Sequence, residues 1–284
     1  MFEGMTEAAI RFTIFASVFA LLASVELVRP RRRLVASKAR RWLTNLVIVG
    51  IDGVVVRAMA MLAVPLAGTA AAAYAGTRGI GIFNWLDWPQ WLEAALTVVA
   101  LDFAIWAQHV ATHKLPLLWR VHQVHHADVD IDVTTAVRFH PIEIALSVLW
   151  KIVCVFILGP AVFAVVLFEI ILNAGAMFSH ANIAVPGPVD RVLRRLIVTP
   201  DMHRVHHSVL RNEHDSNFGF NLSVWDRLFG TYVENPEKGH DAMTIGLPAY
   251  QTDEPARLDW SLSLPFKAVP RRPFDSGKPD FGPR

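Results

Sequence analysis

Cys154 is the only thiol in this 284-residue chain. An internal disulfide is therefore excluded, and so are four-thiolate zinc sites, four-cysteine iron–sulfur clusters and Cys-x-x-Cys-His haem attachment. Charge is scarce as well. Asp, Glu, Lys and Arg make up 18% of the residues, against roughly 25% in soluble domains. Such a chain cannot cover a water-facing surface, which argues against a disordered protein, a coiled coil and an ordinary cytosolic enzyme. No internal repeat of fixed period is present. What the chain does have is a 53% apolar composition and twelve histidines.

The net charge of +2 is ordinary, but its distribution is not. Arg29, Arg31, Arg32, Arg33, Lys38, Arg40 and Arg41 form a basic run with no acid among them. Basic runs bind phosphate, yet this one is clamped between apolar stretches at 12–28 and 43–66. It reads as a cytoplasmic loop under the positive-inside rule rather than a nucleic-acid site. The first stretch is expected to be a membrane helix and not a signal peptide, because Arg11 alone precedes it and no small-residue cleavage site follows. The second carries Asp52 and Arg57, which are costly in lipid and are expected to face other helices. An Ala/Gly-rich segment, 67–81, reads as an outer loop, and the Trp-rich 85–91 as an interfacial belt. A third span follows at 91–107. The run 141–178 would reach about 57 Å as one helix, nearly twice a ~30 Å hydrocarbon core. Gly159-Pro160 near its middle makes it a helical hairpin, spanning or re-entrant.

The expected fold is thus all-α: a membrane bundle of three spans plus a hairpin, with a cytoplasmic helical cap. Residues 1–108 would form the membrane helices and loops, and 109–235 the histidine-rich region around the hairpin. Residues 236–284 would form a Pro-rich tail, extended and poorly packed from about Leu247. With the basic loop in the cytoplasm, both the third span and the hairpin deliver their histidines to that same face.

Eleven of the twelve histidines lie between 109 and 214. Three clusters stand out: His109 and His113; His122, His125 and His126; His203, His206 and His207. Residues three and four apart share one face of a helix, so each cluster aims its imidazoles at one spot. Leu115-Pro116 should end the first helix and let the second cluster turn back on it. Imidazole is the commonest metal ligand, and eight nitrogens exceed one tetrahedral site, so two metals are implied. Val110 stands where a zincin needs glutamate after its first histidine. A soluble di-iron carboxylate site would need Glu-x-x-His pairs, which these clusters lack. Neutral imidazoles suit iron, copper or zinc, but oxidation of unactivated C–H bonds with dioxygen is beyond redox-inert zinc.

The boxes and their surroundings resemble the fatty acid hydroxylase (sterol desaturase) superfamily of membrane di-iron enzymes. The resemblance is carried by Leu118-Trp119-Arg120-Val121-His122, Arg138-Phe139-His140-Pro141, Thr199-Pro200-Asp201-Met202-His203, Asp215-Ser-Asn217-Phe-Gly219 and Trp225-Asp226-Arg227. It covers roughly 95–235. It implies hydroxylation or desaturation of a lipid by two iron ions, with O2 as co-substrate and zinc able to replace iron during purification. It implies His109, His113, His122, His125, His126, His203, His206 and His207 as ligands, with His180 as a ninth; Ala176 stands where some members carry a further histidine. Electrons would come from a separate protein, a reductase with a cytochrome b5-like or ferredoxin-like carrier.

His140 is left open between capping the hairpin, orienting a ligand and binding metal. His214, in a polar loop, is expected to be solvated, and His240 has no assigned role. Asp102, Asp128, Asp130, Asp201 and Glu143 are the acids near enough to orient imidazoles, with solvation the alternative for Asp128 and Asp130 and helix capping for Asp201. Trp225 to Tyr232 should pack the cap onto the helices. Gly76-Thr-Arg-Gly79-Ile-Gly81 lacks a βαβ context and is not a nucleotide site. The competing reading is a membrane metal transporter or metal-binding protein; a metal hydrolase is a third, and would need no reductant.

Overall fold

The computed structural model describes residues 6–62 and 67–267. In chain order it contains α1 (Glu7–Val28), α2 (Lys38–Leu62), α3 (Gly68–Arg78), α4 (Gln90–Lys114), α5 (Pro116–His126), α6 (Pro141–Leu158), α7 (Val162–His180), α8 (Gly187–Leu193) and α9 (Pro200–His206), followed by short helical turns. Among the described residues there is no sheet, only three isolated bridges. Five helices, α1, α2, α4, α6 and α7, are long and apolar enough to cross a membrane. Even α6, with 18 residues, reaches about 27 Å. The protein is an integral membrane α-helical bundle.

The hairpin forms where the sequence breaks. Gly159 ends α6 at φ +65°, a left-handed conformation that glycine adopts without penalty. Gly81 approaches it so closely that a Cβ there would lie 2.3 Å from the Gly159 nitrogen. The Ala-rich segment expected as an outer loop is instead helical in α3. Its Ala71, Ala72 and Ala75 are buried, the first two against Ile152, Val155 and Val165. Alanine is the strongest helix former, and its small side chain lets α3 sit tightly on the hairpin.

At the other end, the basic loop packs on the histidine-bearing segments. Glu26 accepts the backbone N–H groups of Val133 and Asn182, both at 2.7 Å. Arg41, fully buried, binds Asp128 through Nε and Nη2 at 2.6 and 2.8 Å, and Asp132 through Nη1 at 2.6 Å. Asp128 and Asp130 are therefore buried, and no imidazole is among their hydrogen-bond partners in the described residues. Asp130 accepts the N–H groups of Val35 and Ala36. Against the cost of burial, the Arg41 guanidinium holds the Asp128 carboxyl below its ordinary range.

Arg57 departs from expectation, being exposed. It lies five residues from the end of α2, and a long arginine side chain near a helix end can carry its charge out along the apolar surface. The tail also differs: up to Lys267 it is packed. Tyr250, Trp260 and Leu264 form a core with Trp119 and Val124. The buried Arg138 clamps the segment by donating to Pro255 O and Ser261 Oγ at 2.7 and 2.8 Å. The rest of the expected tail, 268–284, and the end of the second predicted span, 63–66, lie outside the described residues.

Candidate metal centre

Two sets of buried imidazoles converge where α4, α5, α7 and α9 meet. His109, His113, His122, His126 and His206 offer one nitrogen each within 4.8 Å of one another, and His125, His180, His203 and His207 do the same. All nine residues named from the sequence are there. His109 and His113 come from the last turns of α4. Leu115 then breaks the helix ahead of Pro116, so α5 folds back with its own three. His180 ends α7. Thr199 caps α9 by accepting the Met202 N–H, which starts the helix where His203 and His206 share a face.

The ring orientations are set from behind. His109 Nδ1 donates to Phe218 O at 2.7 Å, His206 Nδ1 to Ser216 O at 2.6 Å and His180 Nδ1 to Ala176 O at 2.7 Å. His125 Nδ1 donates to Arg138 O at 3.3 Å, and His122 Nδ1 faces Glu143 Oε1 at 2.6 Å. A carbonyl oxygen only accepts, so each Nδ1 that faces one carries the proton, and in the neutral ring Nε2 is a bare lone pair. Yet His206 Nε2 lies 3.0 Å from His109 Nε2, and His180 Nε2 lies 3.2 Å from His125 Nε2. Lone pairs facing each other at that distance repel unless a cation lies between them. Two nitrogens each about 2.1 Å from one metal, at angles between octahedral and tetrahedral, stand roughly 3.0–3.4 Å apart. The fully buried His207 has no hydrogen-bond partner for either nitrogen among the described residues. By donor chemistry, spacing and unpaired nitrogens, the residues fit two metal ions.

Several supports were beyond sequence reading. Ser216 and Phe218, whose carbonyls orient His206 and His109, flank Asn217, the one non-glycine residue at positive φ (49°) among those described. Asparagine tolerates this conformation, and its amide is anchored to Met202 O and Val233 O at 2.9 and 2.8 Å. Asp226 accepts the N–H groups of Phe218 and Gly219, each at 2.8 Å, and so holds the loop in place. No pattern of residue types reveals which way a loop carbonyl points; the Ser-Asn-Phe-Gly and Trp-Asp runs were the available signal.

Of the acids weighed from the sequence, Glu143 alone contacts an imidazole of the two sets closely. Asp102 serves the loop instead, binding Asn221 Nδ2 and Trp225 Nε1 at 2.8 Å each. Asp201 pairs with Arg204 and does not cap α9, a role that the Thr199 hydroxyl holds. His140 Nδ1 accepts the Ile142 N–H at 3.1 Å, capping α6 apart from both sets. His214 is buried rather than solvated. Its ring lies 4.4 Å from that of His126 and 4.8 Å from that of His113, because the short turn Arg211–His214 folds inward over α5. His240 lies 3.8 Å from Asp201.

Beside the first set is a cavity of about 220 Å³, walled by Val49, Ile105, Ile144 and Leu172 and reaching His109 and His122. Its walls come from the apolar helices α2, α4, α6 and α7. A second cavity, about 320 Å³, adjoins it at Gln108, Thr112 and Glu143.

Burial, then neighbouring imidazoles, keep His125, His126, His203, His206 and His207 well below the ordinary imidazole pKa. Their folded pKa lies below the unfolded value of about 6.5, so on acidification the unfolded chain takes up protons that the folded one refuses. The metal-free protein should therefore be fully stable above about pH 6.5 and lose stability steadily below it. Thermal unfolding of chelator-stripped protein at pH 8 and pH 5 measures this; an unchanged melting temperature would contradict it.

The sequence profile of the family described as fatty acid hydroxylase matches residues 94–231, a span containing all nine histidines of the two sets. The chain is 34% identical over 154 residues to an alkylglycerol monooxygenase of Xenopus tropicalis, covering 53% of this chain and 32% of that protein. It is 29% identical over 154 residues to the ornithine lipid hydroxylase OlsE of Rhizobium tropici, covering 54% and 45%. A very-long-chain aldehyde decarbonylase of Oryza sativa is 28% identical over 162 residues, covering 56% and 60%. The chain thus spans less than half the length of the first two relatives. No solved structure matches it.

Proposed function

We propose, from the match of the fatty acid hydroxylase profile to residues 94–231, that this chain is a membrane di-iron oxygenase that hydroxylates or desaturates a lipid with O2 and externally supplied electrons. One observation carries the reading: an apolar cavity among spanning helices ends on His109 and His122. A hydrocarbon chain can enter it without leaving an apolar medium. Bound as two ions by His109, His113, His122, His126 and His206 and by His125, His180, His203 and His207, iron would supply the activation of O2 that redox-inert zinc lacks.

The chain's own part is positioning. Carbonyls of Ala176, Arg138, Ser216 and Phe218, with Glu143, hold five rings in orientation; such supports typically govern 10–100-fold in metal affinity or activity. Val49, Ile105, Ile144 and Leu172 keep water from the substrate segment. The ligand sets sit at the ends of spanning helices, where a transporter would place them near the midplane. Arg31 to Arg41 pack at that same end, which supports a cytoplasmic active site under the positive-inside rule and a separate carrier drawing on cytoplasmic reductant. The named relatives act on lipids, in keeping with this reading.

Protein purified without air should hold about two irons per chain and consume O2 when given reductant and a membrane lipid extract. Mass spectrometry of that extract should show a lipid gaining one oxygen or losing two hydrogens. Fewer than two bound metals in well-handled protein, or no O2-dependent change in any lipid, would overturn the proposal.

A further inference from the structure

The cavity beside the first histidine set is apolar except for a few groups, and two of these are carboxyls. Asp52 lies within α2, fourteen residues or about 21 Å from its start at Lys38, and its side chain lines the cavity with only 5% exposure. Its Oδ1 has no hydrogen-bond partner among the described residues. Glu143 lines the same cavity; its Oε1 faces His122, while its buried Oε2 is likewise without a partner. The other polar residues there are differently placed. Asn173 Nδ2 donates to Glu169 O at 2.7 Å, and Gln108 Oε1 accepts from Ser147 at 3.3 Å. No lysine or arginine lines the cavity among the described residues.

An acceptor buried inside a membrane helix without a partner is costly, and intramembrane acids generally mark a functional site. Helix packing does not account for Asp52, since no neighbouring donor meets its Oδ1. What completes it is a donor brought in from the cavity. Resting on the reading of the chain as a lipid oxygenase, we propose that Asp52 is a specificity-determining residue that accepts a hydrogen bond from a hydroxyl or ammonium group of the lipid substrate. Because Asp52, His109 and His122 wall one cavity of about 220 Å³, the bonded group and the carbon to be oxidised belong to the same segment of the lipid. A fully apolar chain segment would leave Oδ1 of Asp52 unpaired and would be disfavoured.

The test compares three tritiated probes of equal chain length: hexadecan-1-ol, hexadecylamine and methyl hexadecyl ether. Equilibrium binding to the full chain in detergent is measured for the wild type and for Asp52→Leu and Asp52→Asn. An unmet buried acceptor corresponds to roughly 5–150-fold in binding, so the alcohol, the amine or both should bind the wild type at least about fivefold more tightly than the ether. The stronger of the two donors identifies the natural group as hydroxyl or ammonium. Asp52→Leu should bring all three probes level. Asp52→Asn, which retains an acceptor oxygen without the charge, should preserve a preference for the alcohol and lose one for the amine; it also serves if the leucine variant fails to fold. Equal binding of ether and donors by the wild type, or a donor preference that survives in Asp52→Leu, would overturn the proposal. Lipid oxidation is assayed on the same preparations. Turnover without donor preference removes the site and leaves the function; donor preference without O2-dependent turnover removes the function and leaves the site.

Discussion

The His206→Ala protein is expected to enter the membrane and fold, yet to bind about one metal in place of two and to lose lipid oxidation by at least a hundredfold. The apolar helices α1, α2, α4, α6 and α7 carry insertion, and His206 lies outside them on α9. Its Nε2 faces His109 Nε2 at 3.0 Å within the first set, so its loss opens that set directly. Changing a group that merely orients a ligand already costs roughly 10–100-fold, and removing a ligand should cost more. His125→Ala should do the same to the second set. Metal analysis of purified protein, together with turnover, decides the matter. Two full metal equivalents or undiminished turnover in either variant would remove that residue from the ligand set.

A comparably large effect, on stability instead of chemistry, is expected from Arg41→Ala. Arg41, Asp128 and Asp132 have side chains about 1% exposed, and the guanidinium is the group that binds both carboxylates. Breaking a buried pair by removing one partner destabilises by about 3–5 kcal/mol, because the remaining charge is left uncompensated. Here two remain. Arg41→Lys restores a charge without the fork that binds Asp128 through two nitrogens, and should recover only part of the loss. Arg41→Leu combined with Asp128→Asn and Asp132→Asn should be far milder than Arg41→Ala, since it removes the charges together. Denaturation of the purified proteins in detergent measures each. A fully stable Arg41→Ala would show that the cluster is not what joins the basic loop to the histidine-bearing cap.

Composition and spacing alone determined the α-helical membrane character, the hairpin broken at Gly159 and the grouping of histidines by box. Each is a local property: apolar run length, glycine and proline punctuation, and the three-and-four periodicity of a helix. The same local reasoning misplaced groups whose environment comes from distant chain. Asp128 and Asp130 read as groups orienting imidazoles or else solvated, but Arg41 and the backbone of Val35 and Ala36 arrive from more than eighty residues away and bind them. His214 read as a loop residue, yet its turn closes over α5. An Ala/Gly composition suits a loop as well as a tight helix, and only the hairpin packed against it selected α3. Tertiary structure also divided the histidines: His122 and His126 belong to one set, while His125, between them in sequence, belongs to the other with His180. Spacing places imidazoles on a common face, but which of two neighbouring points a ring meets depends on how α4, α7 and α9 pack around α5 and, for His109, His122, His125, His180 and His206, on the carbonyl or carboxylate behind the ring. Those acceptors are held by Asn217, Asp226, the end of α7 and the start of α6 with the turn before it, and their directions exist only once the chain is folded.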